Sequence, residues 1–166
     1  NLLNIESDDA VNAFIRVKGL EDKEFVNSHN LVFATKKGII KKTKLEAYSR
    51  PRANGVNAII IRDDDQLIQV ELTDGNSEIL LANRNGRAIR FHESKVREMG
   101  RVSTGVRGMS LDDDNDEVVG MICMNQSSEN NVMVISENGY GKRSLLDDYR
   151  ITNRGGKGVK TINVTE

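Results

Sequence analysis

I-L-L-A-N-R-N-G-R-A-I-R-F, residues 79–91, is one of three versions of the same phrase in this 166-residue chain. Residues 31–43 read L-V-F-A-T-K-K-G-I-I-K-K-T, and residues 132–144 read V-M-V-I-S-E-N-G-Y-G-K-R-S. Each version is an apolar run, a polar turn closed by a glycine (Gly38, Gly86, Gly139), and a second short run with a base four places after the glycine: Lys42, Arg90, Arg143. The glycines lie 48 and 53 positions apart. Recurrence at such a period predicts a propeller or solenoid. Glycine suits the last place of a tight hairpin turn because φ is often positive there, where a side chain is costly.

Outward from these hairpins the units repeat one course. The first has strands at 31–35 and 39–43, one helical turn at most at 44–48 before Pro51, then strands at 56–61 and 67–72 across the acidic turn 63–65. The second has a polar connection at 93–104 and strands at 105–111 and 118–125 across the acidic turn 112–117. The third has its hairpin at 132–145, a connection at 147–156 and a last strand at 159–164. Before them, residues 2–18 are expected to form two strands of a preceding blade around the acidic turn 6–9, the second at 11–18, with a polar connection at 21–30. The expected fold is all-β: one domain of about three propeller blades, each of four short antiparallel strands, with repeats at about 31–78, 79–131 and 132–166. The chain starts at Asn1 without an initiator methionine and is expected to be a piece of a longer protein.

Net charge is −1, but its distribution follows the repeat. Windows 36–52, 84–107 and 137–160 hold 7, 7 and 6 basic residues against 1, 2 and 3 acidic ones, leaving a surplus of acids elsewhere. The bases form three sets along the connections: Lys41, Lys42, Lys44, Arg50 and Arg52; Arg87, Arg90, Lys95, Arg97, Arg101 and Arg107; Lys142, Arg143, Arg150, Arg154, Lys157 and Lys160. Stacked blades would line them up as a band that neutralises phosphates and releases counterions. Tyr48, Phe91, Tyr140 and Tyr149 do not interleave with the bases, which disfavours a stacking platform for single strands. Duplex held by its backbone and bent is the expected ligand. Reversing the charges of Arg90 and Arg143 together is expected to weaken it.

Other constellations carry less. R-G-G-K-G at 154–158 offers glycines beside two bases for close approach of a phosphate, but it lacks the Ser or Thr of a phosphate-binding loop. Asp112, Asp114 and Asp116 begin like a calcium loop, yet Glu117 and Cys123 stand where glycine and glutamate belong, so a solvated turn is expected. Cys123, alone in an apolar strand, reads as an inert thiol in a reducing compartment, and with only His29 and His92 no metal site is expected. No serine or cysteine has a base near it for catalysis, and no apolar run is long enough to span a membrane.

The repeat resembles the C-terminal domain of the A subunit of bacterial DNA gyrase. The resemblance rests on A-T-K-K-G-I-I-K-K-T at 34–43, R-P-R-A-N-G-V at 50–56, T-D-G-N-S-E-I-L-L-A-N-R-N-G-R-A-I-R-F at 73–91, R-E-M-G-R-V-S-T-G-V-R-G-M at 97–109 and E-N-G-Y-G-K-R at 137–143. It implies part of a six-bladed β-pinwheel whose neighbouring blades exchange strands, with double-stranded DNA wrapped on a basic rim. ATP-dependent type II strand passage would then introduce negative supercoils. By the same resemblance the partners would be the rest of the gyrase A protein and the gyrase B protein, as an A2B2 heterotetramer in the bacterial cytoplasm. ATP and Mg2+ would act elsewhere in that enzyme; the chain itself is expected to have no cofactor and no catalytic residue, Tyr48, Tyr140 and Tyr149 included. The family's Q-R-R-G-G-K-G box is absent; residues 154–158 match its last five letters, with Asn153 in place of its first arginine. The box is expected to precede Asn1, so that this piece binds DNA but wraps it poorly. Alternatives are the corresponding C-terminal domain of topoisomerase IV, and a protein-interaction propeller contacting partners through its acidic turns.

Overall fold

The computed structural model describes residues 10–125 and 131–164. Among these residues there are ten strands: β1 Asn30–Thr35, β2 Ile39–Lys44, β3 Leu67–Thr73, β4 Ser77–Asn83, β5 Arg87–His92, β6 Val106–Arg107, β7 Val118–Asn125, β8 Asn131–Ile135, β9 Gly141–Leu145 and β10 Val159–Lys160. Three single turns of 3-10 helix, Leu45–Tyr48, Glu93–Lys95 and Leu146–Asp148, follow β2, β5 and β9.

All three expected hairpins form: β1–β2, β4–β5 and β8–β9. Their glycines have φ of 77°, 75° and 83°. A second device recurs with them. The residue three places before each glycine turns its side-chain oxygen on the N–H of the residue after it: Ile39 N donates to Thr35 Oγ1 at 3.2 Å, Arg87 N to Asn83 Oδ1 at 2.7 Å and Tyr140 N to Ser136 Oγ at 3.2 Å. Thr, Asn and Ser at that place are a turn signal, and it was present in the sequence beside the glycine.

The outer strands pair in a way that linear reading does not suggest. One sheet runs β3-β1-β2-β6 and the next β10-β5-β4-β7, leaving β8–β9 as a pair among the described residues. The fourth strand of a repeat returns to its own hairpin (β3 to β1, β7 to β4), whereas the third crosses to the hairpin before it (β6 to β2, β10 to β5). This corrects several expected strands. Residues 56–61 are not a strand: among the described residues they meet the second repeat's connection, where Ile60 N donates to Ser103 O, rather than a hairpin edge. The strands expected at 105–111 and 159–164 shrink to β6 and β10, and residues 11–18 have no ladder. The first strand expected within 2–18 lies largely outside the described residues. The polar connection at 21–30 contains a short helix, α1 Lys23–Ser28, capped by Asp22, whose carboxylate accepts from Glu24 N and Phe25 N.

Central strands are buried on both faces, which is why their apolar runs are continuous rather than alternating. Along β1 and β4 successive side chains point to opposite faces. Val32 and Ala34 meet Ile79 and Leu81 in the core between the first two sheets, with Phe91, Met109 and Met121. Leu80 faces the other way and packs with Val132, Leu146 and Tyr149. In β8, Val132 is buried but Met133 and Ile135, on the face equivalent to Val32 and Ala34, are 65% and 62% exposed. Among the described residues no helix is long and apolar enough to cross a membrane.

Candidate nucleic-acid interface

The base four places after each of the first two turn glycines proves to belong to the seam between blades. Arg90 sits in the middle of β5, and its Nε and Nη2 reach Glu78 Oε2 on the facing strand β4 at 2.5 Å. Its Nη1 donates to the carbonyls of Leu146 and Tyr149, in and just after the 3-10 turn of the next repeat, at 2.8 and 3.1 Å. Lys42 does the same one blade earlier, its Nζ donating to the Glu93 carbonyl at 3.0 Å with the Glu93 carboxylate 3.7 Å away. That carboxylate is wholly buried and accepts from Ser77 N at 2.7 Å and Thr73 Oγ1 at 2.9 Å. Backbone closes the same seam: Met99 N donates to Lys42 O and Thr152 N to Arg90 O. A free turn of 3-10 helix leaves carbonyls without partners; a base from the preceding blade satisfies them. Lys42 and Arg90 are therefore corrected from phosphate contacts to buried struts. Arg143, the third of the set, is exposed, so the expected joint effect of Arg90 and Arg143 on DNA no longer follows.

Lys41 is buried as well. Its Nζ donates to Ala58 O at 2.5 Å and Arg101 O at 2.6 Å, and lies 5.3 Å from the centre of the Phe33 ring. It ties the first repeat's unpaired segment to the second repeat's connection, and its head is not free for DNA. Burial, with the Arg101 charge second, lowers its pKa from 10.5 to about 8. Between those values the unfolded chain holds a proton that the folded one has released, so this group's contribution to stability rises with pH across that window. From pH 7.5 to 9.5 the wild type is expected to gain about 1–2 kcal/mol relative to Lys41→Met, read from urea midpoints. Burial raises the Cys123 thiol pKa and gives the opposite slope, but equally in both proteins. Parallel pH curves would refute the Lys41 assignment.

The remaining bases are reachable. Lys44, Arg50, Arg52, Lys95, Arg97, Arg107, Lys142, Arg150, Lys157 and Lys160 are exposed, as Arg143 is, and Arg87, Arg101 and Arg154 half-buried. Successive connections abut. Arg50 and Arg52 share an open groove of about 660 Å³ with Arg101 of the next repeat. Arg150 and Lys157 line a smaller pocket of about 220 Å³ against β5. Lys44 has only a loose partner in Glu98, at 3.9 Å, and Arg50, Arg52, Arg97 and Arg150 have no ion pair among the described residues.

Loop 154–158 is built for the fold first. Arg154 Nε donates to Lys95 O and Nη1 to Arg107 O, both at 2.9 Å, so its head bridges two carbonyls of the second repeat. Gly155 N donates to Gly108 O and Ser110 N to Gly156 O. Gly158 is required by a close approach of strands: a Cβ there would lie 2.2 Å from Ala88 O.

The acidic turns are more structural than the expected solvated reading. Asp116 is buried and accepts from Asn83 Nδ2, Asn85 N and Asp112 N. Asp65 accepts from Lys37 N at 2.9 Å, and Lys37 Nζ pairs with Asp64 at 3.2 Å. These turns sit against the hairpin loops, and Asp112 at the start of the second one also reaches Lys157 of the third repeat. Among the described residues there is no group of three or more His, Cys, Asp or Glu that could hold a metal ion.

Three strand-exchanging blade units with a row of exposed bases along their connections define a propeller of the pinwheel kind. The chain belongs to the family described as "DNA gyrase C-terminal domain, beta-propeller", whose model matches residues 29–74, 77–125 and 130–166. It is 45% identical to the A subunit of DNA gyrase from Staphylococcus aureus over all 166 residues, and spans 18% of that relative's length. Among solved structures it resembles the C-terminal domain of DNA topoisomerase IV, with TM-score 0.84 and 29% identity over 96% of this chain and 47% of that one. It also shares the fold of a DNA gyrase A C-terminal domain, with TM-score 0.80 and 24% identity over 95% of this chain and 50% of that one. The gyrase relatives are subunits of a type II topoisomerase, of which this chain corresponds to the C-terminal domain.

Proposed function

We propose that this chain is a duplex-DNA-binding segment of a gyrase A protein, holding the backbone of double-stranded DNA along its basic connections. The observation that carries this is the row of exposed bases on abutting connections, Arg50 and Arg52 sharing one groove with Arg101 of the next repeat. Backbone contacts of this kind position and bend a duplex without reading its bases. In the whole enzyme, the bent DNA would be presented for ATP-dependent strand passage that introduces negative supercoils. The gyrase B protein, ATP and Mg2+ would act beyond this domain, in the bacterial cytoplasm. The 45% identity to a gyrase A protein supports this over the topoisomerase IV alternative.

The test is fluorescence anisotropy with a labelled duplex of about 40 base pairs across a salt series. Wild type is expected to bind with a steep salt dependence. The double variant Arg50→Glu/Arg52→Glu is expected to bind about tenfold more weakly, with a slope lower by about 1.8, since each lost phosphate contact removes about 0.9. Ligation of a nicked circle in parallel separates binding from wrapping, because only a wrap shifts the linking number. No affinity at low salt would sink the proposal and leave the protein-interaction propeller as the better account.

A further inference from the structure

Asp112 stands apart from the other acids. Its carboxylate bridges two bases from different parts of the basic surface, with Oδ2 3.1 Å from Arg87 Nε and Oδ1 2.9 Å from Lys157 Nζ. One anion held between a guanidinium and an ammonium is the arrangement those bases would make with a phosphate oxygen pair. The Lys157 hydrogen bond, with Arg87 beyond it, holds the Asp112 carboxyl below its usual range.

A tethering role does not account for it. Loop 154–158 is already fixed against 107–110 by Gly155 N to Gly108 O, Ser110 N to Gly156 O, Ser110 Oγ to Gly155 O at 2.7 Å, and the two Arg154 bonds. Nor is it demanded by the repeat. Asp112 lies seven places after Gly105, and the same count from Gly55 falls on Arg62. Lys157 immediately precedes Gly158, where the other repeats have Asn54 and Thr104. The added base and the opposing acid occur together at one blade junction.

We propose that Asp112 is a built-in competitor for the DNA backbone, occupying the place of a phosphate between Arg87 and Lys157 and so lowering the affinity of this part of the surface. The proposal rests on the DNA-binding reading above. The side chains of Lys157 and Arg87 are 59% and 36% exposed, so an incoming phosphate can reach both while the carboxylate swings aside. DNA binding at this junction then exchanges one ion pair for another, with less counterion release than two free bases would give.

The test compares Asp112→Asn with Asp114→Asn, which removes the same charge from an exposed place in the same turn. Anisotropy with the duplex of about 40 base pairs is expected to show Asp112→Asn binding about fivefold tighter at low salt, with a slope steeper by about 1 to 2. Asp114→Asn should change affinity less than about twofold, and Asp112→Asn/Lys157→Gln should lose most of the gain. Equal effects of Asp112→Asn and Asp114→Asn on a wild type that binds would overturn the competitor role and leave the DNA-binding reading intact. A wild type without salt-dependent affinity would instead overturn the reading beneath it. Unchanged thermal midpoints for the variants would confirm that the comparison is between folded proteins.

Discussion

Replacing Arg90 by leucine is expected to destabilise the protein by about 3–5 kcal/mol, the range for removing one partner of a buried ion pair. The loss has two parts. Glu78, 4% exposed, is left as an uncompensated carboxylate, and the carbonyls of Leu146 and Tyr149 lose their donor. The urea midpoint should fall by about 1.5–2.5 M, the m-value being about 2 kcal/mol per M for a domain of this size. Arg90→Leu/Glu78→Leu should recover part of the loss, because no charge is then stranded. Arg143→Leu, at the equivalent place but exposed, should stay within about 0.5 kcal/mol of wild type. If Arg90→Leu costs less than about 1 kcal/mol, the seam does not depend on the strut and the assignment fails.

Gly158→Ala is expected to cost about 3 kcal/mol, combining a strained positive φ with overpacking against backbone. Its φ is 74°, and the added Cβ would lie 2.2 Å from Ala88 O, which cannot move aside without opening the β5–β10 ladder. Gly55 is the instructive comparison. It occupies the same place in the first repeat with φ 73°, but a Cβ there meets nothing within 4 Å. Gly55→Ala should therefore cost only the conformational part, about 1–2 kcal/mol. Gly105, with a Cβ position 2.6 Å from Ile40 O, should behave like Gly158. Equal midpoints for Gly55→Ala and Gly158→Ala would mean that contact with the neighbouring hairpin contributes nothing.

Much of the hairpin architecture could be read directly because it is local. An apolar run, a polar turn with glycine at positive φ and a second run need only contacts within about a dozen residues, so β1–β2, β4–β5 and β8–β9 fall where the repeat places them. Their apolar runs were also informative: L-V-F-A and I-L-L-A lack alternation because both faces of each strand are buried, by a neighbouring sheet or, at Leu31 and Phe33, by Val26 of α1 and Leu45 of the 3-10 turn. The charge segregation was visible in the same way, and the exposed Arg50, Arg52, Arg97 and Arg150 lie on the connections it marked.

What the linear pattern could not carry was partnership at long range. G-V-R at 105–107 and G-V-K at 158–160 read the same whether they join their own hairpin or the one before, and only the packed blades decide for β2 and β5. Residues 56–61 have the composition of a strand but form no ladder among the described residues. The same holds for charge. Lys41, Lys42 and Arg90 are indistinguishable in sequence from the exposed bases around them, yet each is buried with its head hydrogen-bonded to carbonyls of other segments. Sequence determined the repeat, its turns and the side of each unit on which bases accumulate, because those depend on neighbours in the chain. Tertiary structure decided which strands pair and which bases remain for a ligand, because a buried charge is tolerated only where distant groups satisfy it.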